Sequence, residues 1–123
     1  MDNSNGENFN ELCKRADVFL NRIGMFSNLK GYTYLLSAIK ELAKDPLIMH
    51  SITKELYPRV AKNFQATPIG VERSIRNAIE TTCNKGKLYL VANTYYNGNF
   101  SKYEKPTNGE FIAFLFYVAK SYV

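Results

Sequence analysis

Apolar side chains recur at spacings of three and four along most of the 123-residue chain, the pattern of amphipathic helices that each bury one face. Phe9, Leu12, Cys13, Ala16, Phe19, Leu20 and Ile23 form the first stripe, and Gly24 is placed to end it. Residues 1–7 (MDNSNGE) are polar and read as a flexible leader, with order expected from Asn8. Tyr32, Leu35, Leu36, Ile39, Leu42 and Ala43 predict a second helix over Tyr32 to Lys44, stopped by Asp45-Pro46. Ile52, Leu56, Val60, Ala61 and Phe64 predict a third over about Ile48 to Phe64, bent or broken at Pro58 because proline brings no backbone N–H.

Thr67-Pro68 supplies a capping hydroxyl and then a proline at the first helical position, so a fourth helix is expected from Pro68 to Lys85, with Gly86 after its end. Leu88 to Tyr96 predicts a short fifth helix, although Leu88 to Val91 in isolation also fits a strand. Asn97-Gly98-Asn99 opens a polar loop to Pro106. Thr107-Asn108-Gly109-Glu110 fits a capping box in front of an apolar run, which predicts a last helix over Asn108 to Ser121. The expectation is one all-α, compact six-helix domain over residues 8–123, without internal repeats.

The joint between the third and fourth segments gives this outline a function. Two helices separated by a short connection, the second firmly capped, are the layout of a helix-turn-helix. On the fourth segment Val71, Ile75, Ala78 and Ile79 form the inward stripe, and Gly70, Arg73, Ser74, Asn77 and Thr81 the opposite face. Arg73 suits guanine and Asn77 suits adenine, each in bidentate geometry. Glu72, Arg76 and Glu80 stand on a flank at i, i+4 spacing, each pair worth about 0.3–0.5 kcal/mol.

Charge supports a polyanionic partner. The chain carries a formal charge of +5, and Ser51 to Lys87 holds most of it, with Lys54, Arg59, Lys62, Arg73, Arg76, Lys85 and Lys87 against Glu55, Glu72 and Glu80. Cys13 and Cys83 form no zinc pattern, and His50 is the single histidine. No nucleophile–base set, paired carboxylates or cofactor motif is visible, so no catalytic residue, metal or cofactor is expected. No secretory signal opens the sequence, and its most apolar run, Phe111 to Val118, is too short to span a bilayer. A cytoplasmic protein is expected. The tyrosines and phenylalanines, though numerous, fall mainly at core spacing rather than as a platform for single-stranded bases.

The residues LKGYTYLLSAI (Leu29 to Ile39), SITKELYPRVAKNF (Ser51 to Phe64), VERSIRNAIE (Val71 to Glu80) and KPTNGEFIA (Lys105 to Ala113) closely resemble the C-terminal effector-domain family of the stage-zero sporulation regulators, response regulators of endospore formation. The resemblance runs from about Leu29 to Lys120. It implies a six-helix domain that binds short DNA boxes through its fourth helix, often as a homodimer on tandem sites, and contacts the sigma factor of RNA polymerase through the region of Lys85 to Tyr96. Glu72 and Arg73 match family residues that approach bases, and Arg76 matches a further basic residue. Asn77 stands where a histidine is usual, and Gly70 replaces an arginine that helps read the family's box.

These readings make Gly70, Glu72, Arg73, Ser74 and Asn77 the expected base contacts, and Lys62, Arg76, Lys85 and Lys87 the expected phosphate contacts. The family usually carries an N-terminal receiver domain with a phosphorylatable aspartate. The sequence before Leu29 is too short for one, so a stand-alone effector or a fragment is expected. A competing outline is an interaction module that pairs with a full-length regulator or with RNA polymerase without binding DNA. Its surface would be Phe111, Phe114, Leu115, Tyr117 and Val118.

Overall fold

The computed structural model describes residues 4–121, with side chains from Phe9 onward. Six α-helices follow in order: α1 (Ser4–Arg22), α2 (Lys30–Lys44), α3 (Tyr57–Asn63), α4 (Pro68–Cys83), α5 (Lys87–Tyr95) and α6 (Asn108–Lys120). No strand occurs among the described residues, and Leu88 to Val91 lies within α5.

Helix α1 starts earlier than the hydrophobic stripe. Ser4 to Glu7, expected in the flexible leader, form its first turn, and the rest of that expected leader, residues 1–3, lies outside the described residues. Ser, Asn and Glu carry only a modest helical penalty, so the helix can begin before the apolar stripe does. Gly24 ends the helix in the left-handed region at φ +84°. Its N–H bonds to the carbonyl of Asn21, and that of Met25 to the carbonyl of Leu20, both at 3.0 Å, which satisfies carbonyls the helix leaves open.

Helix α2 is the central element, packed against α1, α3, α4 and α6. Its stripe of Tyr32, Leu35, Ile39 and Leu42 is buried, together with Phe19, Leu20 and Ile23 of α1. Tyr32 ties the two helices together: its hydroxyl donates to the Asp17 carboxylate and accepts from Asn21 Nδ2 at 2.9 Å. Burial, then the Asp17 contact, pushes the Tyr32 hydroxyl well above the usual tyrosine range, so it stays protonated and remains a donor.

The helix expected over about Ile48 to Phe64, with a bend or break at Pro58, is three pieces. Pro46–His50 is a 3-10 turn and Ile52–Leu56 a π turn, and only Tyr57–Asn63 is α-helical. Pro58 is the cause. Its ring would crowd the carbonyl four residues back in a continuous α-helix, whereas at the start of α3 its missing N–H has no partner to lose. The Ser51 carbonyl accepts from both Glu55 N and Leu56 N, which marks the wider turn.

Helix α6 begins with the expected capping box: Thr107 accepts from Glu110 N at 3.1 Å while the Glu110 carboxylate accepts from Thr107 N at 2.9 Å. It closes the core against α1. Phe114 meets Phe19 and Phe100 edge to face, and Tyr96 meets Phe19 in the same way. The loop after α5 is held by Asn93, whose side-chain amide exchanges two 2.9 Å hydrogen bonds with the backbone of Phe100.

Candidate nucleic-acid interface

The turn between α3 and α4 is built by backbone closure at one end and side-chain capping at the other. Gln65 adopts a positive φ of 54°, and Ala66 N reaches the Ala61 carbonyl at 2.9 Å. Thr67 Oγ1 then accepts from Gly70 N at 3.0 Å, with Pro68 at the first helical position. Four residues thus reverse the chain and launch α4 in a fixed direction.

Two supports hold the back of α4. Val71, Ile75, Ala78, Ile79 and Thr82 are buried against the core, and Thr82 extends the expected stripe by another turn. Along one flank α2 comes so close that only glycine fits. A Cβ on Gly31 would lie 2.7 Å from Ala78 Cβ and 2.9 Å from the carbonyl carbon of Ser74. On the other flank Asn108, at the start of α6, donates to the Glu72 carbonyl at 3.0 Å and to the Tyr57 hydroxyl at 3.1 Å. Burial raises the Tyr57 pKa, and the Asn108 hydrogen bond works against that rise.

These supports set which residues face outward. Arg73, Arg76, Asn77 and Glu80 are exposed along α4, with Ile69 at its start. Of the five expected base contacts, Arg73 and Asn77 lie on this exposed ridge. Ser74 is half-buried where α2 crosses at Gly31, and Gly70 is half-buried beside the Thr67 cap. Glu72 is half-buried on the α6 side and forms an ion pair with Arg76. Among the described residues Arg73 has no ion pair and Asn77 no side-chain hydrogen bond.

The expected phosphate contacts divide in the same way. Lys62, near the end of α3, and Lys87, at the start of α5, are exposed. Lys85 is exposed as well, and its ammonium is engaged by the fold. Its ammonium donates to the Gly24 carbonyl at 2.6 Å and sits 3.3 Å from the centre of the Phe26 ring, closing the end of α1 onto the end of α4. One cation missed in the sequence is Lys105, which lines a cleft of about 460 Å³ with Arg76, Glu80, Pro106 and Asn108. Its position in the KPTNGE segment was the available signal, since the capping box that follows fixes it beside α4.

The expected partner surface on α6 does not exist as a surface. Phe111, Leu115 and Val118 are buried in the core, and Phe114 is half-buried in the aromatic cluster, which leaves Tyr117 exposed at 46%. A helix packed against α1, α2 and α4 at once has apolar residues on most of its sides because it has neighbours on most of its sides.

Burial raises the Cys83 thiol above its usual range, with nearby Lys105 offsetting part of the shift, and burial likewise raises Cys13. Both stay largely protonated near neutral pH, the state that does not act as a nucleophile. The described residues contain no group of three or more His, Cys, Asp or Glu side chains able to hold a metal, and no helix among them is long and apolar enough to cross a membrane.

An all-helical domain carrying a capped helix-turn-helix defines the class as a regulatory DNA-binding fold. The family model described as sporulation initiation factor Spo0A C terminal matches residues 17–118, and the chain belongs to that family of sporulation DNA-binding effector domains.

Proposed function

We propose that this chain binds specific double-stranded DNA sequences and regulates transcription in the service of sporulation, with α4 lying in the major groove. The observation that carries the reading is the exposed, unpartnered guanidinium of Arg73 on a helix whose back and both flanks are already packed. Arg73 and Asn77 read base edges, and Glu72 approaches from the flank. Lys62, Lys87, Arg76 and Lys105 contact phosphates on either side of the groove. The Glu72–Arg76 pair keeps Arg76 extended along α4, where a phosphate replaces or shares the carboxylate.

Pairing of copies on tandem boxes and contact with a sigma factor belong to the same reading. Leu90 and Tyr95, exposed on α5, support a protein contact in that segment. Such work takes place on DNA in the bacterial cytoplasm. Burial of Phe111, Leu115 and Val118 on α6 weighs against the rival interaction module.

A salt titration of binding to a selected duplex and to random duplex is the test. Phosphate contacts make log K fall with log salt by about 0.9 per phosphate neutralised. A steep slope on both duplexes, with tighter binding to the selected one, is expected. Binding that is indifferent to salt, or equal on both duplexes, contradicts the reading.

A further inference from the structure

We infer that Ile69 is a specificity-determining residue that packs on the C5-methyl group of a thymine in the target site. The inference rests on the proposed major-groove placement of α4 and extends it to a side chain that the sequence pattern left aside.

Ile69 is the second residue of α4, directly after Pro68, and is 62% exposed. It belongs neither to the buried core nor to the partly buried residues packed around it. The cap at this end of the helix is complete without it, because Thr67 and Pro68 provide the hydroxyl and the fixed backbone. Folding therefore gives no reason for a large β-branched side chain at this position, where isoleucine is also a poorer helix former than alanine.

Its neighbours supply a reason. Ile69 precedes Arg73 by four residues, so the two side chains sit one above the other on the exposed ridge. In a helix-turn-helix the N-terminal residues of the second helix meet the base edges. A guanidinium aimed at guanine would thus place the isoleucine over an adjacent base pair. The one apolar group that base pairs present in the major groove is the thymine methyl, and apolar side chains contact it without hydrogen bonding.

Uracil differs from thymine by that methyl alone, which makes it the probe. In the duplex obtained by binding selection, each thymine is replaced singly by uracil, and binding is measured for the wild type, Ile69→Val and Ile69→Ala. Burial of one methyl group corresponds to an affinity change of about threefold to fivefold. The wild type should lose that much at one thymine adjacent to the guanine whose discrimination disappears in Arg73→Ala. Ile69→Val should keep most of the loss, and Ile69→Ala should bind the thymine and uracil duplexes alike. Because the side chain is exposed, both variants should unfold thermally as the wild type does. A wild type indifferent to every uracil replacement, a selected site without thymine, or an Ile69→Ala variant that still discriminates overturns the inference. Any of those results alongside Arg73-dependent binding leaves the placement of α4 standing. Absence of sequence-selective duplex binding by the wild type overturns that placement and this inference together.

Discussion

Helices α4 and α6 both start at a threonine whose hydroxyl accepts an N–H from the first turn, yet they meet solvent in different ways. Helix α6 spends its apolar residues on three neighbours and leaves Tyr117 as its one large exposed hydrophobic. Helix α4 buries one stripe and carries a ridge of charged and polar residues, of which Arg73 and Asn77 are unpartnered among the described residues. An apolar-rich terminal helix is thus no indication of a docking surface when the core surrounds it. A polar ridge left unsatisfied on a rigidly backed helix is the better sign of a site.

The largest effects should separate the two helices by stability. Phe111→Ala removes a fully buried ring from α6 and should cost about 3–5 kcal/mol in urea unfolding. Tyr117→Ala on the same helix should stay within about 0.5 kcal/mol. Equal losses at the two positions would mean that α6 is not divided into core and surface as described.

Gly31→Ala tests what holds α4 in place. The added methyl group meets Ala78 and the Ser74 carbonyl group, so α2 and α4 must separate, at a cost of about 1–3 kcal/mol. Because the strain falls on the back of the outward ridge, duplex affinity should drop even under conditions where circular dichroism reports a folded domain. A variant as stable as the wild type would show that the crossing is looser than the geometry requires.

A smaller contrast lies between two lysines that look equivalent in sequence. Lys62→Ala should reduce the slope of log K against log salt by about one unit. Lys85→Ala should leave the slope unchanged and lower thermal stability, since its ammonium serves Gly24 and Phe26. The reverse result would return Lys85 to the DNA-facing surface.

The sequence made local features legible and left distant ones hidden. Thr67-Pro68 and Thr107 to Glu110 are caps written in adjacent residues, and periodicity alone marks Val71, Ile75, Ala78 and Ile79 as the inner face of α4. The 3-10 and π turns before α3 escaped because apolar spacing cannot register a change of helical pitch, although Pro58 marked the break. The bond from Lys85 to Gly24 was not legible because the two lie 61 residues apart. The outward direction of α4 was displaced because the close crossing at Gly31, which covers Ser74, is a tertiary fact. In α6, apolar residues on most sides suited either a central position or a partner, and only the packing decides between them.

The measurement that bears most directly on the central claim compares Arg73→Ala with the wild type on the selected duplex and on random duplex. A base contact predicts a loss of about 1–3 kcal/mol on the selected site, relaxed choice at one guanine, little change on random DNA and unaltered stability. An equal loss on both duplexes would make Arg73 a backbone contact, and unchanged binding on both would show that the exposed ridge of α4 is not where this protein reads DNA.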